Sequence, residues 1–107
     1  MTYIRVSTMT PVAGREDEAT QINQDLVAFY RSQPGCLGSH YVTAADNSGE
    51  QGRVSFWATE RAADGAATQE RSLYLRSRLH LLSRTGHQQR SFTSESAPAT
   101  PLAEATA

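Results

Sequence analysis

Residues 33–37, Gln-Pro-Gly-Cys-Leu, constrain the fold of this chain more than any other segment. Pro34 disfavours the helical conformation for the residue before it, and Gly35 adopts turn conformations that other residues avoid. We therefore expect a helix to end near Ser32 and a strand to begin at Cys36. The junction separates a first strand and helix from everything that follows.

Before the junction, the apolar residues follow two different periods. Residues 3–9 alternate and are rich in β-branched and aromatic side chains, which predicts a strand. Residues 15–32 have helical spacing, with acidic residues in the first turn and Arg31 in the last, where each favours the helix dipole. The apolar stripe of this helix is Ala19, Ile22, Leu26, Phe29 and Tyr30.

After the junction, the chain reads as a hairpin, a helix and a last strand. Strands are predicted at residues 37–45 and 53–59 around a turn at 46–50. Residues 60–83 are helical in composition, with Gly65 as a break into two pieces, and Gly86 follows as a cap. A fourth strand is predicted at residues 87–94, and residues 96–107 are expected to be a disordered tail.

This order, βαββαβ, predicts a ferredoxin-like α+β domain over residues 1–95, with an antiparallel sheet and both helices on one of its faces. The other face would be open, and an open face with large apolar side chains is a candidate interface. We expect two such faces to pack together in a homodimer and enclose a cavity. The residues assigned to this open face are Tyr3, Arg5, Ser7, Met9 and Trp57.

Composition excludes several classes of function. The formal net charge is −1, so neither nucleic acid nor an anionic membrane is an expected partner. No apolar run reaches membrane-spanning length, and the N-terminus does not resemble a signal peptide. A lone cysteine fits a reducing cytoplasm. All ten basic residues are arginine, which is typical of bacteria with GC-rich genomes.

Two segments carry a family resemblance. The junction with Gly38 after it, and the run Trp-Ala-Thr-Glu-Arg at residues 57–61 before an Ala-rich helix, resemble the antibiotic biosynthesis monooxygenase family of dimeric α+β barrels. The resemblance covers residues 2–95. It implies a homodimer without a cofactor and, in an oxygenase, molecular oxygen as co-substrate with a small aromatic, polyketide-like or quinol ligand. The family also contains members without known activity, and its superfamily contains isomerases and cyclases.

The haem-degrading branch of the family fits this chain poorly. That branch has an Asn on the first strand and a second Trp about ten residues after the strand-end Trp. Here the first strand has no Asn, and Ala66 or Ala67 stands at the second position. Haem is therefore not expected as a cofactor.

Four residues are predicted to contact the substrate. Trp57 would stack on a flat ring, while Tyr3, Tyr41 and Arg5 would contact phenol or quinone oxygens. Other roles remain open for two of these residues. Trp57 can equally serve core or interface packing, and Arg5 can pair with a carboxylate across the dimer.

His40 and His80 are the predicted general bases, because imidazole titrates near neutral pH. His40 shares a strand face with Gly38 and Val42, and the period does not decide whether that face meets the cavity. Structural roles for both histidines stay open. His87 is expected to be solvated and Cys36 to be buried for packing. The histidines lack the spacing of a metal site.

Three functions remain at this stage. The first is a homodimeric, cofactor-independent monooxygenase acting on a small aromatic or quinol. The second is a dimeric ligand-binding or accessory protein with the same cavity and no turnover. The third is an isomerase or cyclase that uses the same acid–base groups without oxygen.

Overall fold

The computed structural model describes residues 1–84 and 86–95. Four strands and three helices form in the predicted order, with the predicted last helix divided in two. The elements are β1 (Thr2–Met9), α1 (Glu16–Arg31), β2 (Cys36–Thr43), β3 (Gln51–Trp57), α2 (Glu60–Ala67), α3 (Glu70–Leu81) and β4 (Gln88–Ser94). The predicted tail at residues 96–107 lies outside the described residues.

The four strands form one antiparallel sheet in the order β2-β3-β1-β4. In the central strand β1, Tyr3 pairs with Trp57 on one side and with Thr93 on the other. The pairing of β2 with β3 shifts register between Cys36 and Gly38, so a bulge marks the start of β2. This arrangement, with helices on one face, confirms the ferredoxin-like α+β fold.

The junction at residues 33–37 performs the predicted change of direction. Gly35 has φ +82°, a conformation that favours glycine. Its carbonyl accepts a hydrogen bond from the amide of Ala58 at 2.8 Å. A Cβ added at Gly35 would lie 2.6 Å from the Cβ of Ala62, so glycine is required here by space as well as by conformation. The junction therefore packs directly against the start of α2.

The break in the last helical segment lies at Thr68 and Gln69, and the prediction of a break at Gly65 was wrong. Thr68 is the C-cap of α2: its amide donates to the carbonyls of Asp64 and Ala66, and its hydroxyl donates to those of Asp64 and Gly65. Gly65 lies on an exposed side of α2, where nothing would contact a Cβ. A glycine in such a place lowers helix propensity without ending the helix.

The hydrophobic core lies between the helices and the sheet. α1 contributes Ile22 and Leu26, and α3 contributes Leu75 and Leu79, each at most 2% exposed. These residues recur at helical spacing, so one stripe of each helix is buried. They pack against the large side chains of the sheet in a single cluster.

The assignment of the open sheet face was wrong. Trp57 and Tyr3 are 2% and 6% exposed, because α1, α2 and α3 cover the face that carries them. Alternation along a strand separates two faces but does not say which one the helices cover. Small residues such as Ala63 and Ala66 on α2 leave space for these large rings. The open face carries Ile4, Val6, Val42, Val54 and Phe56, with His40 and Phe92.

None of the helices in the described part of the chain is both long and apolar enough to cross a membrane.

Candidate active site

A cavity lies between the covered face of the sheet and the helices. The centre of a water-sized sphere can move through about 20 Å³ of this cavity, which is room for about one water molecule. Strands β1, β3 and β4 form one wall, and α1, α2 and α3 form the other. The lining residues are Arg5, Ser7, Tyr30, Arg53, Ser55, Trp57, Ala63, Ala67, Arg76 and Gln89.

Two aromatic rings form the apolar part of the cavity. Trp57 ends β3, and the edge of its ring meets Tyr30 of α1, with ring centroids 5.8 Å apart and an interplanar angle of 77°. The Tyr30 hydroxyl lies 2.7 Å from the Ser72 hydroxyl on α3. Edge-to-face packing and a buried hydrogen bond hold both rings in place. The cavity therefore has rigid aromatic walls.

Arg53 places a buried positive charge on the sheet side of the cavity. Its side chain points from β3 toward the helices, and the residue is 4% exposed. The guanidinium donates to the side-chain oxygen of Asn23, whose amide donates in turn to Gln51 at 2.9 Å. Among the described residues, no carboxylate pairs with Arg53. Burial lowers the pKa of Arg53, Tyr30 partly opposes this effect, and the nearby charge of Arg76 adds to it.

Arg76 brings a second positive charge from α3. Its Nε atom donates to the Ser72 hydroxyl at 3.2 Å, and its Nη2 atom donates to the Ala67 carbonyl at 2.7 Å. Both acceptors are neutral. Within the described residues, Arg76 also has no acidic partner.

Arg5 is the third cation of the lining, and it does have a partner. Its Nη2 atom donates to the Tyr3 hydroxyl at 2.7 Å and to Asp64 of α2 at 3.0 Å. Burial lowers the pKa of Arg5, but these two hydrogen bonds outweigh that effect and raise it. Its Nε atom is buried and has no hydrogen-bond partner among the described residues. The cavity is therefore lined by three guanidinium groups, and only that of Arg5 is paired with a carboxylate among the described residues.

Two histidines lie within electrostatic reach of the cavity. The rings of His80 and His87 have centroids 5.9 Å apart. His80 follows Arg76 by one turn of α3, and its side chain is exposed. Nδ1 of His87 is buried without a partner among the described residues. Burial lowers the pKa of His87, and the charges of Arg53, His80 and Arg76 lower it further, so the neutral imidazole is favoured.

The structure does not bring His40 to the cavity. It lies on the open face of the sheet, exposed, with its ring edge-on to Phe56 at 6.2 Å between centroids. Tyr41 points toward the helices, but its hydroxyl contacts Gln51 at 3.3 Å and Thr20 at 3.4 Å, outside the cavity lining. Of the predicted substrate contacts, Trp57 and Arg5 line the cavity, and Tyr3 reaches it through Arg5.

Cys36 is half-buried beside the core, and burial raises the pKa of its thiol. A protonated thiol is a poor nucleophile, which agrees with a packing role. No group of three or more metal-binding side chains occurs within residues 1–84 and 86–95.

Sequence reasoning missed Tyr30, Arg53, Arg76 and His87. The sequence could have indicated Arg53, because it lies four residues before Trp57 on β3 and therefore on the same face of the strand. An arginine on the face of a large aromatic residue is unusual when that face is buried. Arg76 had no such signal, since it is one of several arginines along its helix.

The sequence model of the family described as antibiotic biosynthesis monooxygenase matches residues 2–71. The chain belongs to this family. A comparison with curated proteins gave no match.

Solved structures share the fold at low sequence identity. SnoaB of Streptomyces nogalater, a cofactor-independent oxygenase, is 20% identical with a TM-score of 0.76, over 92% of this chain and 98% of that chain. Rv0793 of Mycobacterium tuberculosis is 14% identical with a TM-score of 0.83, over 94% of this chain and 100% of that one. A conserved protein of Methanosarcina mazei is 10% identical with a TM-score of 0.82, over 89% and 94%. At such identities the likeness establishes the fold and not the reaction.

Proposed function

We propose that this protein is a cofactor-independent monooxygenase that oxidises a small, electron-rich aromatic compound, such as a quinol or an anthrone-like phenol. The observation that carries the proposal is the cavity walled by Trp57 and Tyr30 and lined by three arginines. Family membership and the fold shared with an oxygenase, SnoaB, support it. The substrate ring would lie against Trp57.

The chemistry needs no bound redox group if the substrate itself supplies the electrons. A ring CH₂ group loses a proton to a base, and the resulting carbanion or enolate passes electrons to O₂. Carbon and oxygen then bond to form a hydroperoxide, which loses water and leaves a ketone, so that CH₂ and O₂ become C=O and H₂O. The protein would exclude water and stabilise the negative oxygen with guanidinium donors.

The base in this proposal is the pair of His80 and His87. A neutral His87 would take the proton, and exposed His80 would exchange it with solvent. His40, the other predicted base, would need a substrate on the open face of the sheet. Arg5 would keep its predicted role of orienting substrate oxygens.

Entry of a ring requires the cavity to open, because its present volume of about 20 Å³ holds only about one water. The ion pair between Arg5 of β1 and Asp64 of α2 joins the two walls, and the Asp64 side chain is 58% exposed. The Arg5 side chain is only 16% exposed, but water around Asp64 screens the attraction, so the pair contributes little stability, on the order of 1 kcal/mol. We propose that this pair opens when substrate enters.

The active form in this proposal is a cytoplasmic homodimer. The open face of the sheet exposes part of Ile4, Val6, Val54 and Phe56 in the single chain, and Phe92 is 42% exposed. An apolar sheet face of this kind is a candidate interface. The sheets would meet through this face, so each cavity would stay within its own subunit.

Oxygen uptake with a panel of hydroquinones and anthrones tests the reaction. We expect turnover that falls at least tenfold in Trp57→Leu and in His87→Ala, while His40→Ala retains full activity. Arg71→Gln, an exposed arginine of α3, serves as the control. Ligand binding without oxygen uptake from any substrate would instead favour the binding-protein alternative, and product formation without oxygen would favour an isomerase or cyclase.

A further inference from the structure

We propose that Arg53 and Arg76 form a carboxylate-binding subsite, so that the ligand of this cavity is an aromatic acid. The proposal deepens the proposed function by naming the substrate class of the same cavity. It concerns binding alone and can be tested without oxygen or turnover.

The first observation is that Arg53 is buried without a counter-ion. Moving a charged group out of water costs several kcal/mol, so buried charges are normally paired. Arg53 is 4% exposed, and the acceptor recorded for its guanidinium, the Asn23 amide oxygen, is neutral. An unpaired cation facing a cavity is a binding site for an anion.

The second observation is that Arg76 repeats the arrangement from the opposite wall. Arg53 comes from the sheet and Arg76 from α3, and both line the cavity. Their like charges repel each other, and the neutral acceptors of Arg76 do not offset this repulsion. An anion between the two guanidinium groups would interact favourably with both. By contrast, Asp64 already pairs with Arg5.

The geometry of the groups favours a carboxylate. A guanidinium is a planar fork whose parallel N–H groups match the two oxygens of a carboxylate. A carboxylate is also ionised at neutral pH without help from the protein. Trp57 and Tyr30 lie in the same lining, so one ligand can place its acid group on the arginines and its ring on the aromatic walls.

The fluorescence of Trp57, the sole tryptophan, reports directly on the cavity. We would titrate the full-length protein with benzoate and with benzamide, a neutral analogue of the same shape. We expect benzoate to change the emission of Trp57 with an affinity at least tenfold higher than that of benzamide. Arg53→Gln and Arg76→Gln should each lose this preference, and Arg71→Gln should keep it.

Thermal unfolding gives a second readout that does not depend on fluorescence. Benzoate should raise the Tm of the wild-type protein and leave the Tm of Arg53→Met unchanged. If Arg53→Gln fails to fold, the Arg76→Gln titration and the wild-type preference for benzoate still test the subsite.

Three results would overturn the proposal. Equal binding of benzoate and benzamide would show that the cavity does not select a charge, and no response to benzoate would show that it takes no aromatic acid. Tighter, arginine-dependent binding of 4-nitrophenolate than of benzoate would show that the anion is a phenolate. If any of these results came with oxygen uptake from neutral phenols, the carboxylate subsite would be refuted and the proposed monooxygenase would not. Benzoate selectivity without oxygen uptake would support the subsite and contradict the monooxygenase.

Discussion

The two faces of the sheet both depart from the usual pattern. The face covered by helices carries core residues such as Trp57 and Tyr3, and beside them the buried polar residues Arg53, Ser55, Ser39 and Gln51. The open face carries aliphatic and aromatic side chains from Ile4 on β1 to Phe92 on β4, together with polar ones such as His40 and Arg90. In an ordinary open sheet the apolar residues are covered and the polar residues meet water.

The difference identifies what each face does. Burying polar and charged groups costs free energy unless they are satisfied, and on the covered face Ser39, Ser55 and Gln51 are hydrogen-bonded while Arg53 has no acidic partner among the described residues. An open face with large apolar side chains is a candidate interface. In the proposals above, one sheet therefore separates a ligand cavity from a subunit interface, and each can be disrupted independently of the other.

The largest expected effect is the loss of the proposed dimer when a charge enters the open face. Val54 lies in the middle of this face, between Val6 and His40. Val54→Asp should weaken self-association at least 100-fold, because burying a carboxylate in a largely apolar interface costs roughly 3 kcal/mol. Sedimentation velocity across a concentration series measures it.

Leu81→Asp is the control for this variant, because Leu81 is 79% exposed on α3, away from the sheet. A wild-type protein that is monomeric at micromolar concentration would contradict the interface. So would an unaltered dimer in Val54→Asp.

The covered face should respond to the loss of its polar network. Asn23 is fully buried and links Arg53 to Gln51. Asn23→Leu should lower the free energy of unfolding by about 2–3 kcal/mol, since it leaves a buried cation without its acceptor. Urea unfolding measures the change, and Gln24→Leu on the exposed side of α1 should stay within about 0.5 kcal/mol. A stability equal to that of the wild type would show that the network is not needed for folding.

A smaller effect is expected where α1 and α3 meet above the cavity. Tyr30→Phe removes the hydrogen bond to Ser72 and should cost about 1 kcal/mol. Tyr74→Phe is the matched control, because Tyr74 is 54% exposed on α3. Thermal unfolding of both variants gives the comparison, and equal losses would mean that the buried hydroxyl contributes nothing specific.

The smallest effect concerns the pH dependence of stability. Burial and nearby cations lower the pKa of His87 in the folded protein below its ordinary value of 6.5. As pH falls below about 6.5, the unfolded chain binds a proton before the folded one does, so stability decreases. His87→Gln should flatten this part of the curve, and Gln24→Leu on the exposed side of α1 should keep the wild-type slope. Denaturant unfolding from pH 8 to pH 5 would test it, and identical slopes in wild type and His87→Gln would contradict the assignment.

Much of the fold was predictable because its signals are local. The turn at Gly35 and the periods of α1 and β1 depend on neighbouring residues, and the structure confirms them. The helix break lies at Thr68 and not at the predicted Gly65, because Thr68 supplies the C-cap and an exposed glycine does not by itself end a helix. The period of β3 also places Arg53 and Val54 on opposite faces of the strand.

The site was less predictable because it depends on which face the helices cover. The chemistry of Trp57 and Arg5 predicts substrate contacts, and both residues line the cavity. The chemistry of His40 likewise predicts a general base, yet His40 lies on the open face of the sheet. Arg76 and His87 come from separate elements, and no spacing in the chain shows that they lie near Arg53.

The chain alone determines the order of its elements, the turn at residues 33–37 and the two sets of side chains on each strand, since backbone conformation and strand period are local properties. The tertiary structure decides which set is buried, because that choice depends on how small residues of α2 fit the large rings of the sheet. It also decides that Arg53 and Arg76 face one cavity, since their proximity arises from packing between elements distant in sequence. Residues 33–37 therefore indicate the fold from sequence alone, whereas the candidate site is visible only once the covered face of the sheet is known.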